Sequence, residues 1–403
     1  MEEKVVTVEK VVFGGKGLSR DLQKVTLIPL TLPGEKVRIR ITREHRDYLE
    51  AEALEIVEPS PDRRSPDCRY FGTCGGCQIS HASYPAQVRL KESILKETLR
   101  RNRIEIPEIQ VFTAAPFGYR HRARLKYDFR QKRLGFHETG SNRVVDIQEC
   151  LCLTPGLNRL LTIIRHALPA HQVPNLGEID CYENDAGETF AFFHGLLPES
   201  LRSELKRSIR VRDASEASRS PWKVRFRNIP FPMRPDIFLQ ANPNLWNGMV
   251  QEVESHHEDG LDRIALELYC GAGFLTMPLA AKFRKIVACE ENSAAIRFAA
   301  ENYPNRNIEW VCSPAEKMRF PSDATAAIVD PPRAGLHKKV IEEFRNRPFH
   351  KITYVSCDCS SFARDVKALE DRYRLSRLSL MDLFPQTYHF EIIALLESRV
   401  SQM

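Results

Sequence analysis

Near the C-terminal end of the chain, a thiol and a carboxylate stand in settings that suit covalent chemistry. Ser356-Cys357-Asp358-Cys359 follows directly on the apolar run Ile352-Thr353-Tyr354-Val355. Cys357 is therefore expected at the C-terminal end of a buried strand, among polar neighbours that keep it from full burial. Further on, Phe384-Pro385-Gln386-Thr387-Tyr388-His389-Phe390-Glu391 leads into the last apolar run. At the start of a strand, His389 and Glu391 share a face. A charged Glu against an apolar sheet is costly unless it has a task. One covalent nucleophile, Cys357, and one general base, Glu391, is the chemistry this pair offers.

The elements that position them alternate from about residue 236 onward. Ile264–Tyr269, Ile286–Glu290, Ala324–Val329 and Ile352–Ser356 read as strands, with helices expected over Phe274–Phe283 and Ser293–Asn302. The pattern predicts an open α/β sheet with helices on both faces and an antiparallel strand at the end. Gly271-Ala272-Gly273 follows the first of these strands and lacks the third glycine of a dinucleotide loop. Glu290 ends the next strand, 21 residues after Tyr269, where a carboxylate accepts hydrogen bonds from both ribose hydroxyls of an adenosine. Adenosine without a pyrophosphate suggests S-adenosylmethionine. Asp330-Pro331-Pro332 leaves a third strand at the same edge as a rigid polar loop. C5 of uracil is a poor nucleophile until a thiolate adds at C6. After methyl transfer to C5, a base must remove the C5 proton. Cys357 and Glu391 fit those two steps.

The remaining chain supplies further polar chemistry. Its 403 residues are 42% apolar and 28% charged, with a net charge of +6, which fits a globular protein with an anionic partner. No apolar run reaches the length of a membrane span, and Met1-Glu2-Glu3-Lys4 does not begin a signal peptide. Eleven cysteines, with Cys68, Cys74 and Cys77 clustered and Cys150 and Cys152 downstream, suggest a reducing compartment and a metal or cluster site rather than disulfides. Four soft ligands suit either zinc or an iron–sulfur cluster. Residues 1–58 alternate in short β-branched stretches between glycine turns, which predicts a small barrel closed by Ala51–Val57. Ser60–Pro66 reads as a linker, and a helix is expected over Pro85–Arg101. Seven basic residues in 119–133, interleaved with Tyr119, Tyr127 and Phe129, and nine in 202–227 are candidate phosphate-contacting surfaces.

Taken together, these motifs resemble the RNA uracil-5-methyltransferase family, in the iron–sulfur-containing branch typified by bacterial 23S rRNA enzymes. Val12-Phe13-Gly14-Gly15-Lys16-Gly17 and Leu32-Pro33-Gly34-Glu35 are similar to the TRAM RNA-binding barrel. The resemblance implies three domains: a TRAM-like, OB-like barrel over 1–58, a central α+β domain with an Fe–S cluster over 59–235, and a Rossmann-like S-adenosylmethionine-dependent methyltransferase domain over 236–403. It implies a [4Fe–4S] cluster on Cys68, Cys74, Cys77 and Cys150. It implies S-adenosylmethionine contacts from Gln240 (in Phe238-Leu239-Gln240-Ala241-Asn242), Tyr269, Gly271, Glu290 and Asp330, with Cys357 as nucleophile and Glu391 as base. The expected partner is RNA, 23S rRNA first and the T-loop of tRNA second, in the cytoplasm, with no membrane and no obligate protein partner. A non-catalytic rRNA-binding protein is the alternative from another class. The chain departs from the family at Asp358-Cys359 (usually Asn-Pro), at Phe274 (often Asn) and at Pro314 (often a polar adenine contact).

Overall fold

Alternating β-branched residues and tight turns build the first sheet. A computed structural model describes residues 3–216, 219–258, 260–304, 307–347 and 349–399. The strands β1 (Glu3–Thr7), β2 (Lys10–Val11), β3 (Lys16–Ser19), β4 (Val25–Pro29), β5 (Lys36–Glu44) and β6 (Tyr48–Glu58) lie in the order β1-β5-β6-β4-β3-β2. Ala51–Val57 lies within β6, in the interior of the order between β5 and β4, rather than at its end. Val37 and Ile39 of β5 point into the core with Val6, Val8 and Ile28, while Arg38 and Arg40 point out and pair with Glu55 and Glu52 of β6. Alternation with period two puts the apolar set inside and the charges outside. Ser60–Pro66 is not a free linker: Arg63 is paired with the buried Glu35 and donates to the Leu30 carbonyl at 2.9 Å.

The helix α1 (Tyr84–Arg101) starts with Pro85 in its first turn and buries Ile94, Leu95 and Leu99. These side chains enter the same core as Leu266, Val329 and Phe362 from the C-terminal half. A second sheet contains β8 (Arg122–Asp128), β9 (Arg133–His137), β10 (Val144–Asp146), β11 (Glu178–Glu183), β12 (Thr189–Phe193) and β13 (Arg210–Asp213), in the order β10-β9-β8-β11-β12-β13. α2 (Pro155–Ala167) and α3 (Glu199–Lys206) pack on it through Leu160, Leu161, Ile164 and Leu201.

This sheet explains the basic tracts. Arg124 is paired with Asp180 at 3.0 Å, Lys126 with Glu178, Arg202 with Asp213 and Glu216, and Arg227 with Glu254. Tyr119 and Tyr127 are buried core residues rather than stacking platforms. Much of both tracts is therefore internal structure. The expectation of an iron–sulfur domain here is also corrected: among the described residues, no group of three or more His, Cys, Asp or Glu side chains is arranged to hold a metal ion.

β14 (Trp222–Phe226) and β15 (Ile229–Met233) form a hairpin, followed by α4 (Trp246–Ser255). The third sheet contains β16 (Gly260–Leu268), β17 (Phe283–Glu290), β18 (Ile308–Cys312), β19 (Ala324–Val329), β20 (Lys351–Ser356), β21 (Tyr373–Met381) and β22 (Glu391–Ser398). It has the order β18-β17-β16-β19-β20-β22-β21-β7, where β7 (Ile109–Phe112) is contributed from upstream and runs parallel to β21. The five strands from β18 to β20 are parallel and β22 is antiparallel to both neighbours. α5 (Thr276–Leu279), α6 (Ser293–Asn302), α7 (Lys338–Asn346) and α8 (Cys359–Leu369) connect them.

The helix expected over Phe274–Phe283 shrinks to α5 and a 3₁₀ turn. Phe274 itself packs against Phe226, Phe231 and Trp246, with ring centroids 5.4–5.6 Å apart. Apolar periodicity there records this aromatic packing rather than a long helix. Among the described residues, no helix is long and apolar enough to cross a membrane.

Candidate active site

The ends of the strands gather the chemistry at one edge of the third sheet. β20 and β22 are antiparallel, with Ser356 opposite Ile392. The next position outward on each chain is Cys357 and Glu391. Opposed residues share a face of the sheet, so the register brings this thiol and this carboxylate together. Asp330 follows β19, Glu290 ends β17 and Tyr269 follows β16 at the same edge. This is the crevice outside the carboxyl ends of the strands where open α/β sheets take their ligands.

Cys357 is half-buried. Burial, together with the charges of Glu391 and Asp330, pushes its thiol up to about 11, against a smaller downward pull from Arg333. Glu391 is 2% exposed. Burial, reinforced by Asp330, holds its carboxyl well above the usual range. Asp330 is pushed up to about 7 by burial and then by the Glu290 charge. Glu267, on the last turn of β16 before Tyr269, is pushed up to about 8 by burial. The centre is thus a low-dielectric pocket with several carboxyl groups and the guanidinium of Arg333.

The glycine turn is ordered by Glu290, which accepts the Gly271 amide at 3.1 Å and the Asn292 amide at 2.8 Å. Gly271 and Gly273 have φ of +54° and +84°, a region that favours glycine, and a Cβ on Gly273 would meet Trp310 at 2.7 Å. Tyr269 has φ +63° and turns the chain out of β16. Two depressions meet at Tyr269. One is a cleft of about 810 Å³ whose lining includes Glu290, Ser313, Glu316 and Leu336, and the other is a small pocket lined by Gln240, Glu267, Gly271, Phe274 and Asp330. The carbonyl of Gln240 accepts the Trp246 indole N–H at 3.2 Å, while its side-chain Oε1 is buried without a partner.

One detail differs from the sequence expectation. β22 begins at Glu391, so His389 lies in the preceding loop and does not share a strand face with it. His389 is half-buried against Tyr388, Phe384 and Phe13 of the barrel, and burial, followed by Arg333, pushes it down to about 4. Cys359 turns into the core, 3.6 Å from the Thr98 hydroxyl, so the second thiol is a packing residue. Asp358 is the N-cap of α8, accepting from Ser360 N at 3.0 Å and Ser361 N at 2.8 Å. An Asp caps a helix as well as an Asn does, which accounts for that departure. Glu267 and Arg333 were not singled out from sequence, although a Glu inside the run Ile264-Ala265-Leu266-Glu267-Leu268 was a visible signal.

Cys68, Cys74, Cys77 and Cys150 do line one small cavity, but Cys152 joins them. Cys77 Sγ lies 3.8 Å from Cys152 Sγ, and the Cys74 sulfur accepts the Gly76 amide at 3.4 Å. Burial first, then the neighbouring Cys150, raises the Cys68 and Cys74 thiols, and a hydrogen bond with Cys152 raises that of Cys150. Among the described residues, no group of three or more His, Cys, Asp or Glu side chains is arranged to hold a metal ion, as a [4Fe–4S] group on four thiolates requires. The iron–sulfur branch, its cluster and its four metal ligands are corrected accordingly.

The chain is also similar to known proteins. A family model described as tRNA (Uracil-5-)-methyltransferase matches residues 210–319 and 322–399, and one described as TRAM domain matches residues 2–54. An Aquifex aeolicus protein called an uncharacterized RNA methyltransferase is 34% identical, over 97% of this chain and 98% of its own length. The 23S rRNA (uracil(1939)-C(5))-methyltransferase RlmD of a Marinomonas species is 30% identical, over 97% of this chain and 94% of its own. In fold, the chain is similar to the Pyrococcus abyssi tRNA (uracil-54, C5)-methyltransferase crystallised with S-adenosyl-L-homocysteine, with TM-score 0.77, 24% identity and coverage of 97% and 99%. With a thiol and a buried carboxylate at the ligand edge of a Rossmann-like sheet and a TRAM barrel in front, the chain belongs to the RNA uracil-5-methyltransferase family and is an enzyme that acts on RNA.

Proposed function

We propose that the chain transfers the methyl group of S-adenosylmethionine to C5 of a uridine in 23S rRNA. The observation that carries the choice of donor is the pair of buried carboxyls Asp330 and Glu267, both held above their ordinary range, in one pocket with an unpaired amide oxygen on Gln240. A ligand that brings a sulfonium and an ammonium into this pocket stabilises the ionised carboxylates and gives Gln240 a donor. The cleft lined by Glu290 has the size of a ligand site. Gln240, Tyr269, Gly271, Glu290 and Asp330 are the residues that fit the donor.

The target uridine is turned out of its stack into the edge between Cys357 and the donor. Cys357, as thiolate, adds to C6 and leaves an enolate whose C5 takes the methyl group, releasing S-adenosylhomocysteine. Glu391, in the carboxylate form, takes the C5 proton. The electrons of that C–H bond re-form the C5–C6 double bond, the C6–S bond breaks and Cys357 leaves as the thiolate. Arg333 favours the ionised form of both groups.

The 23S substrate is supported by the full-length relatives that carry that name. A uridine of the tRNA T-loop is the second reading, favoured by the tRNA enzyme of like fold. Incubation with methyl-labelled S-adenosylmethionine and unmodified total RNA tests both. Label recovered as 5-methyluridine in 23S rRNA is expected, and its absence from a Cys357→Ala preparation. Label in tRNA alone moves the substrate to the T-loop. No label in either RNA overturns the proposal.

A further inference from the structure

The connection from β21 to β22, residues 382–390, carries little structure of its own. Its internal bonds are few: Thr387 N to the Phe384 carbonyl at 3.2 Å, the Thr387 hydroxyl to the same carbonyl at 2.8 Å, and His389 N to that hydroxyl at 3.1 Å. Three consecutive main-chain carbonyls in it are instead held by residues far upstream. The Phe384 carbonyl accepts Lys91 Nζ at 3.0 Å. The Pro385 carbonyl accepts the Tyr119 hydroxyl at 2.9 Å. The Gln386 carbonyl accepts the amides of Gln78 and Ile79, next to Cys77, at 3.1 and 3.2 Å.

Gln386 is the centre of this grip. It is fully buried and has φ +70°, a conformation that a non-glycine residue holds only where its surroundings enforce it. Its amide N–H donates to Gln87 Oε1 at 2.9 Å, and its side-chain oxygen accepts Gln87 Nε2 at 2.9 Å. Its own Nε2 donates to the Pro116 carbonyl at 3.3 Å. Gln87 is equally buried, on the first turns of α1, and its Nε2 also donates to the Ala82 carbonyl at 3.0 Å. Two buried glutamines whose hydrogen bonds satisfy each other hold this loop rigidly in one arrangement, and neither lines the cleft. What lies five residues on is Glu391.

We infer that Gln87 and Gln386 are positioning residues: together they set the β21–β22 loop so that Glu391 faces the position opposite Cys357. The inference rests on the assignment of Glu391 as the base that acts after methyl transfer. Under that assignment, Cys357 sits between β20 and α8, outside the loop, so addition and methyl transfer survive a loosened loop while proton removal does not. Loss of the glutamine pair therefore separates two steps that a general loss of folding would lower together.

The test is a single-turnover reaction of full-length Gln87→Met and Gln386→Gly with RNA and labelled S-adenosylmethionine, quenched in denaturant and resolved on a gel that separates the covalent protein–RNA adduct from free methylated RNA. Gln386→Gly keeps the backbone conformation and removes only the side chain. For both variants the adduct is expected to form within about threefold of the wild-type rate and to resolve at least tenfold more slowly, with unchanged affinity for S-adenosylmethionine. Adduct that forms and resolves as in the wild type overturns the inference. So does an equal fall in both steps with a lowered melting temperature, which is a folding effect only. Glu391→Gln is run beside them. If it resolves its adduct normally, the base assignment itself fails. If it traps the adduct and the glutamine variants do not, only the positioning role fails.

Discussion

The charge on Asp330 raises the pKa of Glu391, and both carboxylates raise that of the Cys357 thiol. The Cys357 thiol of the free protein is therefore protonated at neutral pH, and under the proposed chemistry the site needs a cation to become reactive. That ordering suits an enzyme with an exposed cleft, since a thiolate formed before substrates bind is open to oxidation.

Alkylation of Cys357 checks this directly. A thiol raised to about 11 reacts in proportion to its thiolate fraction, so the rate with iodoacetamide is expected to climb about tenfold per pH unit from pH 7 until it levels near that value. Asp330→Asn removes one repelling charge and lowers the midpoint. Peptide mass spectrometry separates Cys357 from the buried Cys359. A wild-type midpoint at the ordinary thiol value of 9.0 contradicts the electrostatic picture.

Gln240 offers a second measurement. Its Oε1 is buried without a partner in the protein. Gln240→Leu removes that unsatisfied acceptor, so unfolding free energy is expected to stay within about 1 kcal/mol of wild type or to rise. A hydrogen bond to a charged donor is worth about 1.5–3 kcal/mol, so calorimetry with S-adenosylmethionine should show a weakening of tenfold or more. Equal affinities for variant and wild type remove Gln240 from the donor site.

The fully buried pair Lys91–Asp382 ties α1 to the end of β21. Burial lowers the Lys91 pKa and Asp382 opposes that shift. Lys91→Met leaves a buried carboxyl without its cation and is expected to cost about 3–5 kcal/mol in denaturant unfolding, whereas Lys91→Met with Asp382→Leu recovers most of the loss. A single variant as stable as wild type shows that the pair contributes nothing to the docking of α1.

What the sequence made legible was local. Runs such as Ile352–Val355 are apolar because the strand is covered on both faces, and the helix over Pro85–Arg101 kept a helical spacing. Cys357, Glu391, Glu290 and Asp330 could be found because each follows or begins such a run, and strand ends are where an open sheet exposes its chemistry. The rest depended on long-range partners. Arg124 and Lys126 read as a nucleic-acid surface because Asp180 and Glu178 lie on another strand. Gln87 and Gln386 carry no periodicity at all, and only the fold makes them neighbours. Four spaced cysteines suggested a cluster, yet spacing says nothing about where the fifth thiol, Cys152, turns.

The edge strand β7 has a consequence for how the molecule is made. Residues Ile109–Phe112 pair with Leu378–Met381, so the catalytic sheet is bounded by a strand synthesised early and a partner synthesised among the last. During translation, that early segment waits with its hydrogen-bonding groups unpaired while nearly the whole sheet is still to come. Non-local pairing of this kind is slow. A fragment that begins after the second sheet leaves β21 as an open edge, ready to pair with another copy. The third sheet reaches its finished form only once β21 has found β7.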